Sequence, residues 1–195
     1  MSITYPLNIP TTIGIESIEI RAVNAVTTSQ SPFTYQQQIV AHQGQRWEAS
    51  VNIPTVRKDL AAAWKVFLLS LKGQQGTFLL GDPDYDSPKG LVSSCTLSGS
   101  AGDESVSVTM TGSLFAGDYI QLGSGSTAKL HQVLVDQVGD GTLEIWPKLR
   151  TDYSSATVTT SSPKGVFRLA QNVSSWQISN AGAYGISFEC VEDLV

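Results

Sequence analysis

The chain has 195 residues, 41% of them hydrophobic, enough to bury the core of one large domain or two small ones. Seventeen acidic against twelve basic side chains give a net charge of −5, which argues against a nucleic-acid-binding surface, since that needs a basic footprint to neutralise phosphates. Charged residues are only 15% of the chain, against about 25% in an ordinary soluble protein, and Ser, Thr, Gln and Gly fill the deficit, a composition suited to packing against neighbours in an assembly. No apolar run reaches the roughly 18 residues of a membrane-spanning helix. The opening Met1-Ser2-Ile3-Thr4-Tyr5-Pro6 lacks the basic region and apolar core of a secretion signal, so a chain made and kept in a cytosol is expected.

The first stretch reads as strands. Ile13 and Ile15 alternate in one phase and Ile18, Ile20 and Ala22 in the other, which predicts a bulge or break near Glu16-Ser17. Ser31-Pro32-Phe33-Thr34 reads as a turn and leads into a Gln-rich segment from Tyr35 to His42. Beyond Gly44 the alternation is cleaner. Trp47, Ala49, Val51 and Ile53 face one way and Arg46, Glu48, Ser50 and Asn52 the other, a half-buried strand that Pro54 is expected to end. A helix over about 56–72 follows from Leu60, Trp64, Phe67, Leu68 and Leu71 at three- and four-residue steps. Thr55 is its expected N-cap and Gly73 its left-handed C-cap. Trp64 and Phe67 should bury against the sheet that carries Trp47.

A short apolar run, Thr77-Phe78-Leu79-Leu80, ends at Gly81-Asp82-Pro83, and there the pattern changes. Short alternating strands appear at Val106 to Met110, Tyr119 to Leu122, Leu130 to Val138, Leu143 to Trp146 and Ala156 to Val158. Glycine-rich turns separate them at intervals of roughly 8–12 residues, the pattern of a small barrel or sandwich. From Val166 the richer apolar pattern of the N-terminal part returns through Phe167, Leu169, Trp176, Ile186, Phe188 and Cys190. The expected architecture is mainly β (α+β). A discontinuous β-sandwich-like domain over 1–88 and 163–195 carries one long helix and an inserted small β-barrel-like domain over 89–162. No internal repeat is visible.

Little chemistry is written in the sequence. His42 and His131 fall in different candidate domains, and His131, in the alternating strand Lys129 to Val133, is placed on a polar face with a surface or interface role. No nucleophile elbow or phosphate loop is present. Asp82-Pro83-Asp84-Tyr85-Asp86 resembles half of a calcium loop, but Ser87 and Ser93 stand where Gly and Glu are needed, so a solvated turn is the better reading. Cys95 and Cys190 read as buried structural thiols. Asn172-Val173-Ser174 matches a glycosylation acceptor with no secretion signal to give it meaning. No catalytic residue, cofactor or metal is expected.

Four segments together are specific: Ser31 to Thr34 with Gln36 to Gln38; Leu71-Lys72-Gly73-Gln74-Gln75-Gly76-Thr77-Phe78-Leu79-Leu80-Gly81-Asp82-Pro83; Ala116-Gly117-Asp118-Tyr119-Ile120-Gln121-Leu122; and Phe167-Arg168-Leu169-Ala170. In this order, with Trp47 and Trp64 between the first two, they resemble tail proteins of bacteriophages with long non-contractile tails, closest to the distal tail protein at the tail tip. The resemblance spans nearly the whole chain. It implies a non-enzymatic virion protein, made in the bacterial cytoplasm, that forms an adaptor ring, usually six-fold, between the tail tube protein and the hub and fibre proteins. The discontinuous domain would form the ring. The insert would project and contact fibres, neighbours or host glycans, and DNA would pass the lumen unbound. Candidate inter-subunit edge residues are Ile18, Ile20, Gln36, Gln37 and Gln38, whose segments would offer backbone groups and uncharged amides for pairing between copies. The alternative is a carbohydrate-binding adhesin or receptor-binding module of the tail, with Tyr119, Trp146 and Tyr153 as glycan-contact aromatics.

Overall fold

The computed structural model describes residues 3–180 and 182–194. In chain order, β1 (Leu7–Asn8) and β2 (Ser17–Gln30) lead to the 21-residue β3 (Gln37–Arg57), helix α1 (Lys58–Leu71) and β4 (Thr77–Leu80). Then come β5 (Val92–Gly99), β6 (Ser105–Leu114), β7 (Tyr119–Leu122), β8 (Lys129–Val133), β9 (Gln137–Val138), β10 (Gly141–Trp146) and β11 (Tyr153–Thr159). The chain closes with β12 (Gly165–Leu169), β13 (Trp176–Ile178) and β14 (Ala183–Glu192). The protein is mainly β with one α-helix among the described residues, its sheets in a sandwich-like arrangement.

The strands fall into two sheets. The base sheet runs β1-β4-β12-β14-β3-β2, with β13 on β14; the second runs β10-β8-β7-β11-β5-β6 and closes through β10–β6 into a six-stranded barrel, with β9 attached to β6. Closure removes the open edges that a sheet of short strands would otherwise present. Each unit has its own apolar cluster. Leu97, Val106, Val108, Leu114, Ile120, Leu122, Leu143 and Ile145 fill the barrel. Trp47, Val51, Ile53, Trp64, Phe67, Leu71, Phe78 and Phe167 fill the base.

The alternation in β3 buries Trp47, Ala49, Val51 and Ile53, and α1 delivers Trp64, Phe67 and Leu68 onto that face. Trp64 meets Phe67 edge-on at 5.7 Å and Phe188 at 6.1 Å. Phe67, Phe78 and Phe188 continue the aromatic stack. The spacing of Trp64, Phe67, Leu68 and Leu71 read from the sequence is the buried face of α1, but Leu60, expected on it, is exposed and Ala61 is buried in its turn.

Several local expectations are corrected. Pro54 does not end β3, which continues to Arg57 and pairs Val56 with Tyr184 and Arg57 with Ala183. The β14 register shifts between Tyr184 and Ile186, and an irregularity there accommodates a residue without an N–H. The N-cap is Arg57, with no side-chain cap, and not Thr55. The left-handed cap is Lys72 (φ 52°), followed by Gly73 at φ 69°. A Cβ at Gly73 would lie 2.9 Å from the Asn172 backbone, so glycine is required by space and conformation together. Ile13 and Ile15 lie in an irregular segment before β2 and pack on the base core from there. The Leu130-to-Val138 strand is two strands, β8 and β9, and β5 is a strand that the sequence pattern does not announce.

Candidate functional site

Two features distinguish this surface: a long hairpin arm and the seam at its root. The arm is the distal part of the β2–β3 hairpin. From Asn24 to Gly44 every residue except Ser31 is exposed, because neither α1 nor the barrel covers either face. The strands pair as Gln30↔Gln37, Ser29↔Gln38 and Thr28↔Ile39, and Thr27 and His42 meet across them at 3.3 Å. Ser31 builds the tip. Its hydroxyl accepts from the Phe33 and Thr34 amides, its carbonyl accepts from the Tyr35 amide, and its own amide donates to the Gln36 carbonyl. At about 3.3 Å per residue the arm extends on the order of 20 Å beyond its root.

Its side chains are unusual for solvent. Phe33 is 91% exposed, Tyr35 73% and Ile39 62%, with Val26 and Val40 also open. From Ala22 to Gln45 the chain carries no Asp, Glu, Lys or Arg. Gln36, Gln37 and Gln38 sit exposed at and beside the tip. Ile18 and Ile20 behave differently: they pair with Val51 and Ala49, and their side chains are half-buried on the base core. What they offer outward is backbone alone, since β2 is the terminal strand of its sheet. The uninterrupted uncharged run is the sequence signal for the arm, and the glutamines alone do not disclose it.

The seam gathers the titratable groups. Glu192 on β14 is 4% exposed. Its Oε2 accepts from the Trp47 amide at 3.0 Å and from Arg150 at 3.1 Å. Burial pushes this carboxyl up, and Arg150 opposes the shift. Lys129 donates to the Asp193 carbonyl at 2.6 Å, and burial lowers its ammonium. Arg168 pairs with the Asp193 carboxylate. Arg150 and Lys129 of the inserted segment therefore meet the Glu192 carboxylate and the Asp193 carbonyl, while Arg168–Asp193 is an ion pair within the base. The apolar part of the seam is Trp47, which packs edge-on against Trp146 at 4.3 Å, lies 6.1 Å from Tyr119 and donates to the Leu130 carbonyl at 2.9 Å.

His131 is corrected by this geometry. It is wholly buried, with Nδ1 2.7 Å from the Pro147 carbonyl, and burial lowers its pKa to about 4. Both faces of β8 are covered, one by barrel and one by base, so alternation did not leave it a solvent side. The three candidate glycan-contact aromatics do not share a face. Tyr119 and Trp146 are half-buried around Trp47, while Tyr153 packs on the barrel core.

The remaining motifs have structural uses. Asp118 is buried and accepts from the Lys89 and Phe115 amides, tying the insert's entry to the turn before β7. The Asp82 carboxylate accepts from the Asp84 amide within its own turn. No group of three His, Cys, Asp or Glu residues is arranged to hold a metal among the described residues. Asn172 accepts from the Gln74 amide. Cys190 and Cys95 are free and buried in the separate base and barrel cores, and burial raises them to about 12 and about 11. No described helix is long and apolar enough to cross a membrane. No family model and no curated protein matches the chain.

Proposed function

We propose that this chain is a structural protein of a bacteriophage tail tip, acting by assembly and not by turnover, and that it forms an adaptor ring between the tail tube and the hub or fibre proteins. The observation that carries the reading is the arm: a hairpin with apolar side chains exposed on both faces and no formal charge along 24 consecutive residues, Ala22 to Gln45. A two-stranded ribbon alone in water is marginally stable, and exposed apolar groups at this density mark an interaction site. A partner surface can close on this arm without stranding an ion, which makes a second copy of the chain a chemically reasonable partner. A closed ring needs a heterologous contact, arm of one copy on another surface of the next, and a durable contact buries more than about 1,000 Å². The family resemblance supplies the setting, a six-fold ring in the virion assembled after synthesis in the bacterial cytoplasm.

The adhesin reading draws less support, because Tyr119 and Trp146 are engaged with Trp47. Imaging of tail tips tests the proposal. The expected result is a closed ring of this chain around the tail axis with the arm against the next copy. Isolated copies in a receptor-binding spike, or an arm left in solvent, would overturn it.

A further inference from the structure

We propose that the inserted barrel is a brace that aims the arm, with Gln45 as the positioning residue. This rests on the arm being the assembly surface, but its geometry is independent of any ring. The β2–β3 ladder is irregular at the arm's root. Asn24 pairs with Gln45 and Val26 with Ala41, so Ala25 stands opposite His42, Gln43 and Gly44. A bulge of this size bends a hairpin and interrupts its ladder, and without support the arm would swing there.

The barrel side meets the chain at that root. Gln45 uses both ends of its amide: Nε2 donates to Glu104 at 3.0 Å and Oε1 accepts from the Lys148 amide at 2.8 Å. Its carbonyl accepts from Arg150 at 2.5 Å. On the opposite strand, the Asn24 side chain accepts from Trp146 Nε1 at 2.9 Å. Both legs are therefore tied to the insert at the residue pair where the ladder breaks. Arg150 also grips Glu192, and Trp146 also packs on Trp47, so the tie points are themselves immobilised by the seam. A residue whose backbone and side chain are held in three directions fixes an angle as well as a position. The insert thus has a task in the ring-forming unit that needs no host contact.

The test measures the arm's direction in the free chain. Ser29→Cys on the arm and Ser107→Cys on the barrel, both exposed in the parent, take a pair of spin labels, while the buried Cys95 and Cys190 remain unlabelled, as the parent without added cysteines verifies. The labelled parent should give one narrow distance distribution. Gln45→Ala should broaden it at least twofold with the thermal midpoint nearly unchanged. Trp146→Phe, which keeps a ring on Trp47 and removes the bond to Asn24, should broaden it less and serves as the second variant if Gln45→Ala does not fold. A broad distribution in the parent, or an unchanged width in the variants that fold, would overturn the brace. Because the readout is taken on unassembled protein, a braced arm with no ring in tail tips would overturn the ring alone, and a ring built from an unbraced arm would overturn the brace alone.

Discussion

The seam and the arm are built from adjacent stretches of the same strand, β3, and could hardly differ more. At Trp47 the strand is covered on its inner face and its neighbours are a tryptophan, a tyrosine and a buried carboxylate matched to an arginine. A few residues before that it has no cover on either face and no charge of its own. Burial of the Glu192 carboxylate is tolerated in the seam because Arg150 meets it across the two units. Exposure of apolar groups on the arm is costly in water and becomes favourable only when another surface closes on it. One region holds the fold together; the other is the surface proposed for assembly.

The largest effect is expected in the seam. Trp47→Ala should cost about 3–5 kcal/mol, the range for truncating a large buried aromatic, and should expose Trp146 and Tyr119, read as a drop in denaturation midpoint with a red shift in tryptophan emission. A loss below about 1 kcal/mol would mean the two units are not welded there. Arg150→Met follows, since it leaves Glu192 buried without its cation. About 3 kcal/mol is expected by urea denaturation, with partial recovery in the double variant that also carries Glu192→Gln.

The seam should also make stability depend on pH. His131 holds its proton only below about 4 when folded, against about 6.5 when unfolded. The unfolded chain therefore binds more protons between those values, and the contribution of neutral His131, fully present above about pH 6.5, is lost as pH falls toward 4, by about 3 kcal/mol at most. Glu192 works with the opposite sign, since its raised pKa favours the folded state below the carboxylate's ordinary value. Denaturation curves at about pH 7, 6 and 5 should show stability falling on acidification, and His131→Gln should flatten that slope. Parallel slopes would place the titration elsewhere.

The smallest stability effect, with the largest consequence for assembly, belongs to the arm. Ile39→Glu should change monomer stability by no more than about 0.5 kcal/mol, as for other open surface positions, yet should abolish assembly of the proposed tail-tip ring by burying a carboxylate with no partner. Normal incorporation would remove the arm from the interface.

Much of the fold is legible locally. The period-2 contrast of Trp47 to Ile53 and the helical spacing of Trp64 to Leu71 hold because each records which side of one element meets water, whereas Leu60, one turn earlier, stays exposed. Boundaries are less legible: Pro54 looks like a stop, but a register shift on the neighbouring strand lets β3 run through it. The site residues divide in the same way. Gln36 to Gln38 can be read as exposed uncharged groups, whereas Ile18 and Ile20 have their side chains turned inward on the base core.

Sequence is sufficient for the patterning of β3 and of the helix from Trp64 onward, the change of pattern near residue 84 and the scarcity of charge, since composition and periodicity are properties of neighbours along the chain. The burial of His131, the pairing of Arg150 with Glu192 and the ties from Gln45 to Glu104 and Lys148 are not readable there. Each of these pairings joins residues tens of positions apart in the chain, and the solvent exposure of one strand face depends on which distant element folds back onto it. Alternation in β8 marks two faces correctly but carries no information that both will be covered. The placement of the barrel beside β3 makes that choice, and with it turns an expected surface histidine into a buried one and gives a plain glutamine three ties to the insert.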